Sequence, residues 1–222
     1  MDNKYLDIFL DSLWPLLKAG LLFAVPLTLI SFAIGLVLAL LTALARLSSI
    51  KPLVWLARFY VWIIRGTPLL VQLFIIFYGL PSLGITIGAF PAAIIGFSLS
   101  VGAYNAEVMR AAIQSIPKGQ WEAAESLGMT RSQILRRIIL PQAARVSVPP
   151  LSNSFISLVK DTSLAATITV TEMFQRAQQI AAVTYEHMLI YCEVALIYLF
   201  FSTILSALQA RVERYFERYT VR

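Results

Sequence analysis

Two stretches without a charged residue decide what this chain can fold into: residues 19–45 and residues 66–106. At about 1.5 Å of rise per residue the first already exceeds the roughly 30 Å hydrocarbon core of a bilayer, and the second is long enough for two crossings. The composition agrees, with 59% hydrophobic residues, 14% charged residues and a mean hydropathy of +0.76. A soluble domain carries more charge and less apolar surface than this. The chain reads as an all-α, polytopic membrane protein forming a single transmembrane domain over residues 1–222.

The second uncharged stretch is punctuated by Gly79-Leu80-Pro81-Ser82-Leu83-Gly84, whose turn chemistry splits it in two. A further apolar run starts near Val146 and another near His187. Five spans are therefore expected, at about 19–45, 60–79, 85–106, 146–170 and 187–210. Tyr5 to Leu17 has apolar residues at helical spacing beside acidic ones, which predicts a short amphipathic helix along the outer surface; the alternative is an extension of the first span. The acidic N-terminus lacks the basic start of a signal peptide, so the first span is expected to be retained.

Orientation follows the basic residues. Arg46, Lys51, Arg58 and Arg65 lie between the first two spans, Arg110 to Arg145 between the third and fourth, and Arg211, Arg214, Arg218 and Arg222 in the tail. The other face offers Lys4, Lys18 and Arg176 beside Asp2, Asp7, Asp11, Glu172 and Glu186. This places the N-terminus outside and the C-terminus in the cytoplasm. The net charge of +6 is then topology rather than a sign of nucleic-acid binding. The lone Cys192 cannot form an intrachain disulfide and reads as structural, and His187 has no companions at metal-ligand spacing. Gly84 and Gly88 have the spacing of a close helix contact, but a turn explains them as well.

Residues 107–145 form a polar island that must meet something in water. Gln120 to Leu127 predicts a short helix capped by Gly128, and Thr130-x-x-Gln133 a capping box for a second helix that halts at Pro141. Two short helices bent at a glycine have the outline of a DNA-binding helix-turn-helix. A third helix is missing, however, and both ends are tied to spans, so a docking element is the better reading. Glu107 and Arg110, three residues apart, read as a surface pair.

Here the chain resembles a known family, the permease subunits of binding-protein-dependent ABC importers. Its hallmark is complete: Glu122-Ala123-Ala124, three residues, Gly128, nine residues, Ile138-x-Leu140-Pro141. The resemblance implies that the first short helix is a coupling helix seated in a cytoplasmic ATPase subunit, with Trp121, Glu122, Ala123, Ala124, Ser126, Leu127, Gly128 and Arg131 as docking residues. Arg65 to Leu73, and Gly102-Ala103-Tyr104 with Glu107 and Arg110, are similar to the polar amino-acid uptake permeases. Pro149 to Ile168 is similar to the bacterial L-cystine permease subunits, which implies the inner membrane as location.

The fourth span concentrates Asn153, Ser154, Ser157, Lys160, Asp161 and Thr162. Charged groups at the bilayer centre cost about 2.5–3.5 kcal/mol on insertion scales, so they face cavities or one another. This face is expected to border the substrate pathway. For Lys160 two readings stand side by side: the pathway, or snorkelling to the outer interface with Asp161 as its partner.

No Walker A sequence occurs, so the chain is expected to be a transport subunit that binds no cofactor and hydrolyses no ATP. The implied partners are two copies of an ATP-binding subunit holding ATP and Mg, a second permease subunit in a homodimer, an external substrate-binding protein, an amino-acid substrate and the lipid bilayer. The rival classes fit less well. An ion-coupled carrier would show repeated halves or several intramembrane acids, and a membrane-tethered regulator lacks its third helix.

Overall fold

The computed structural model describes residues 4–217, and these are helical with short connectors and no strand among them. Asp2, Arg218 and Arg222, used above for orientation, lie outside the described residues. The helices are α1 Lys4–Ala19, α2 Val25–Arg46, α3 Lys51–Gly66, α4 Leu69–Phe74, α5 Ala89–Ser115, α6 Lys118–Ser126, α7 Arg131–Ile134, α8 Leu140–Asp161, α9 Met173–Thr184 and α10 His187–Glu217.

Three π turns, Gly20–Ala24, Ile75–Gly79 and Leu135–Ile139, share one local grammar. Each is followed, after one residue, by a proline: Pro26, Pro81 and Pro141. A proline lacks an N–H and its ring collides with the carbonyl four residues back. Widening the preceding turn, as in the Leu140 N–H bond to the Leu135 carbonyl, makes room for that ring.

Two expectations are corrected by this. Pro141 does not halt the second short helix, because α7 runs through its π turn into α8. Nor is Tyr5 to Leu17 a separate surface helix: Lys4–Arg46 is one run of 43 residues, and Leu13, Leu16 and Leu17 pack with α9 and α10 in a core containing Met173, Ala177, Ile190 and Val194. Lys4 Nζ lies 2.7 Å from Glu186 Oε1, tying the start of α1 to the start of α10.

The expected second span bends inside its predicted range. The α3 helix and the Leu69–Leu83 segment meet at 104° across Thr67-Pro68. Proline restricts the residue before it to extended backbone, and Thr67 is extended at φ −122°, ψ 147°. The bend is buttressed by buried Gln72, whose Nε2 donates to the Ile64 carbonyl at 2.8 Å, the Thr67 carbonyl at 3.1 Å and Thr67 Oγ1 at 2.9 Å. The turn at Gly79–Gly84 occurs as predicted, with Gly84 left-handed at φ 80°.

Among the described residues, Lys4–Arg46, Ala89–Ser115 and His187–Arg214 are long and apolar enough to cross a membrane, and the bent pair makes a fourth if it acts as one span. The α8 helix falls short on composition, since Arg145, Asn153, Ser157, Lys160 and Asp161 dilute it. The centre of the fold is the long seam of α2 on α5. Small buried residues Ser31, Gly35, Ala39 and Ala43 recur at every fourth position of α2, which lets the two backbones approach as membrane helices do. Tyr60 then pins α3 across α5, its hydroxyl donating to the Leu99 carbonyl at 2.7 Å.

Candidate functional site

Two regions carry the polar chemistry. The first is the elbow at α6. Its C-terminus closes in a Schellman arrangement, with Gly128 N–H donating to Glu125 O at 2.9 Å and Met129 N–H to Ala124 O at 3.2 Å. Gly128 is left-handed at φ 73°, the conformation glycine adopts without strain. Both bonds of the Thr130/Gln133 capping box are present.

The elbow rests on a small core of its own, made by Ala112, Ile113 and Ile116 of α5 with Ala124, Ile134, Ile139 and Ala143. This separates the sequence-predicted docking residues into two groups. Ala124 is buried and Trp121 half-buried against that core, so they hold the elbow up. Glu122, Ala123, Ser126, Leu127, Gly128 and Arg131 are exposed on the outer side, and Leu127 is 81% exposed. After Gly128 there is no free recognition helix of the DNA-binding kind, because α7 continues into α8.

The second region is a cleft of about 570 Å³ between the end of α3, the middle of α5 and α8. Asn153, Ser154, Ser157 and Asp161 line it from α8, joined by Arg65, Tyr104, Asn105 and Glu107. Helical spacing explains the set: 153, 157 and 161 are four residues apart and share a face. Asn153 is oriented by Gln209 of α10, whose Nε2 donates to its Oδ1 at 3.0 Å. Asn105 is buried at the cleft, and its amide nitrogen has no partner within the described residues.

Two predicted pathway residues do not line the cleft. Lys160 is exposed and lies outside the cleft lining. Thr162 is buried, and its hydroxyl donates back to the Val159 carbonyl at 2.7 Å.

Glu107 is more than one half of a surface pair. It accepts from Arg110 Nε at 3.0 Å and Nη2 at 2.8 Å, is paired with Arg46 of α2, and has Arg65 Nη1 at 3.6 Å. One carboxylate thus gathers guanidinium groups from three helices, and Arg65 also lies 5.2 Å from the centroid of the Tyr104 ring. Sequence spacing exposes only the Arg110 contact; the other two depend on the tertiary fold. A second missed carboxylate is Glu172. Fully buried as the N-cap of α9, it accepts from Phe174 N at 2.9 Å, Gln175 N at 2.8 Å and Tyr198 Oη at 3.1 Å. Burial pushes its pKa up, against the pull of these donors.

The cleft and the glycine-capped elbow thus sit on an all-helical fold whose longest helices can cross a membrane. Residues 31–218 match the family of binding-protein-dependent transport system inner membrane components, and the chain belongs to that family as a multi-pass inner-membrane protein. It is 54% identical over 217 residues to the L-cystine transport system permease protein TcyB of Bacillus subtilis (strain 168), covering 97% of this chain and 93% of that one. A probable amino-acid ABC transporter permease protein of the same organism, YckA, is 42% identical over 93% of this chain and 91% of its own. Among solved structures, the crystal structure of an amino acid ABC transporter with histidines superposes with a TM-score of 0.82 at 38% identity, covering 95% of each chain.

Proposed function

We propose that this chain is the permease subunit of an ABC importer that carries L-cystine across the bacterial inner membrane. The observation that carries the cargo is the 54% identity to a named L-cystine permease along almost the whole chain. A cleft offering a carboxylate at Asp161, a guanidinium at Arg65 and amides between them suits a zwitterionic amino acid.

The chain crosses the membrane five times in this reading. The bent α3–α4 pair is the second crossing, and α8 is the polar fourth, tolerated because its hydrophilic side faces a cleft. The N-terminus is outside and the C-terminus in the cytoplasm, as the basic residues suggest. The α6 helix docks into a cytoplasmic ATP-binding subunit through Glu122, Ala123, Ser126, Leu127, Gly128 and Arg131. Two such subunits hold ATP and Mg and do the hydrolysis, a second copy of this chain completes the pathway, and an external binding protein delivers the substrate.

Reconstituted vesicles test this. Uptake of labelled cystine should require ATP and persist with ion gradients collapsed, and excess arginine, histidine or glutamine should compete poorly. Uptake that stops when ion gradients are removed would defeat the importer reading; efficient competition by another amino acid would reassign the cargo.

A further inference from the structure

The charge around Glu107 does not balance. One carboxylate faces Arg46, Arg65 and Arg110, so the cluster retains excess positive charge at one end of the cleft. The three guanidinium groups are not held alike. Arg46 is the most enclosed, with its side chain 16% exposed, and Arg110 makes two bonds within 3.0 Å and is 29% exposed. Arg65 stands off at 3.6 Å, is 42% exposed and is the one of the three that lines the cleft.

The backbone supports the same distinction. Arg65 sits in the last turn of α3, immediately before the Thr67-Pro68 bend that Gln72 clips in place. Its head is steadied by the face of Tyr104, a contact that positions a guanidinium without consuming its N–H donors. If Arg65 swings away, Glu107 keeps Arg46 and Arg110 as partners. Releasing it therefore strands no buried charge.

We propose that Arg65 is a latched carboxylate receptor. While the cleft is empty it leans on Glu107 and Tyr104; a substrate carboxylate entering from the Asp161 side takes it over. A guanidinium suits this exchange because its planar fork meets a carboxylate through two parallel bonds. Asp161, across the cleft, offers the opposite charge to an ammonium group. The inference rests on the permease reading above and adds to it a residue that selects for a carboxylate-bearing substrate.

Two measurements on the assembled transporter, with its ATP-binding subunits and binding protein, test the proposal. In a Cys192→Ser background, Ser157→Cys is labelled with an anionic and with a cationic methanethiosulfonate reagent, and the ratio of the two rates reads the charge of the cleft. Arg65→Gln should lower the anionic preference at least fivefold, and Glu107→Gln should raise it at least twofold. In parallel, Arg65→Gln should cut maximal uptake at least tenfold, and Arg65→Lys should recover part of it. A rate ratio unmoved by either charge change overturns the proposal, as does wild-type uptake in Arg65→Gln. Equal loss in the Gln and Lys variants without a change in the ratio makes Arg65 a structural brace and overturns it too. Because labelling needs no knowledge of the cargo, a failed cystine assignment leaves this test intact.

Discussion

A Cβ built on Gly35 of α2 would lie 2.4 Å from Cγ1 of Val101 on α5, and 3.2 Å from the Ser98 carbonyl oxygen. The second of these is backbone and cannot swing aside. Gly35→Val should therefore force the α2–α5 seam apart and destabilise the chain by about 1–3 kcal/mol, the usual cost of overpacking. Thermal unfolding in detergent, followed by size-exclusion chromatography, should show a lower midpoint. Gly66→Ala, where a Cβ meets nothing within 4 Å, is the matched control and should shift far less.

The bend at Thr67-Pro68 depends on Gln72. Gln72→Leu keeps the side-chain bulk but removes the donor to the Ile64 and Thr67 carbonyls. These carbonyls are only partly buried, so leaving them unmet should cost no more than the roughly 1–3 kcal/mol of a fully buried unmet group. Faster amide hydrogen exchange across residues 64–72, with α5 unchanged, is the expected signature. An unchanged exchange profile would show that proline alone sets the bend.

For the α6 elbow, the two sides should give different phenotypes. Glu122→Arg on the exposed side should leave folding intact yet weaken co-purification of the ATP-binding subunit and abolish uptake. Gly128→Trp should do the same with an added strain from a left-handed backbone. Trp121→Ala, on the supported side, should instead lower the unfolding midpoint, since it empties part of the elbow's core. Normal uptake in Glu122→Arg would count against docking through this face.

The cleft separates residues that look equivalent in sequence. Asn153→Leu should reduce uptake at least fivefold, because it removes a cleft amide and the Gln209 bond together. Lys160→Met should stay within twofold of wild type, since Lys160 lies outside the cleft lining. A reversed order of effects, measured with matched membrane levels, would place the pathway on the other side of α8.

Much of this was legible where the determinant is local. The glycine cap at Gly128 and the Thr130/Gln133 box are set by backbone geometry over a few residues, and both occur as read. The polar face from Asn153 to Asp161 follows from helical period alone. What sequence misread depends on context. Proline is a helix breaker only if the turn before it cannot widen, and before Pro141 it does. Arg46 and Arg65 reach Glu107 only once α2 and α3 are packed beside α5. The split between Trp121 and Leu127 likewise requires knowing where Ile113 and Ile116 end up.

The uninterrupted path from Arg131 to Asp161 has a mechanical meaning. At about 1.5 Å per residue it forms a strut on the order of 45 Å long, with the Thr130 cap at its foot and the carboxylate of the cleft at its head. The Leu135–Ile139 turn is its broad coil near the foot, and Pro149-Pro150 interrupt its hydrogen-bond ladder higher up. A shove on the foot arrives at Asp161 as displacement of the whole strut, less whatever that coil and the proline pair absorb. The stiffness at these two places thus sets how much of a push from the solvent side is felt inside.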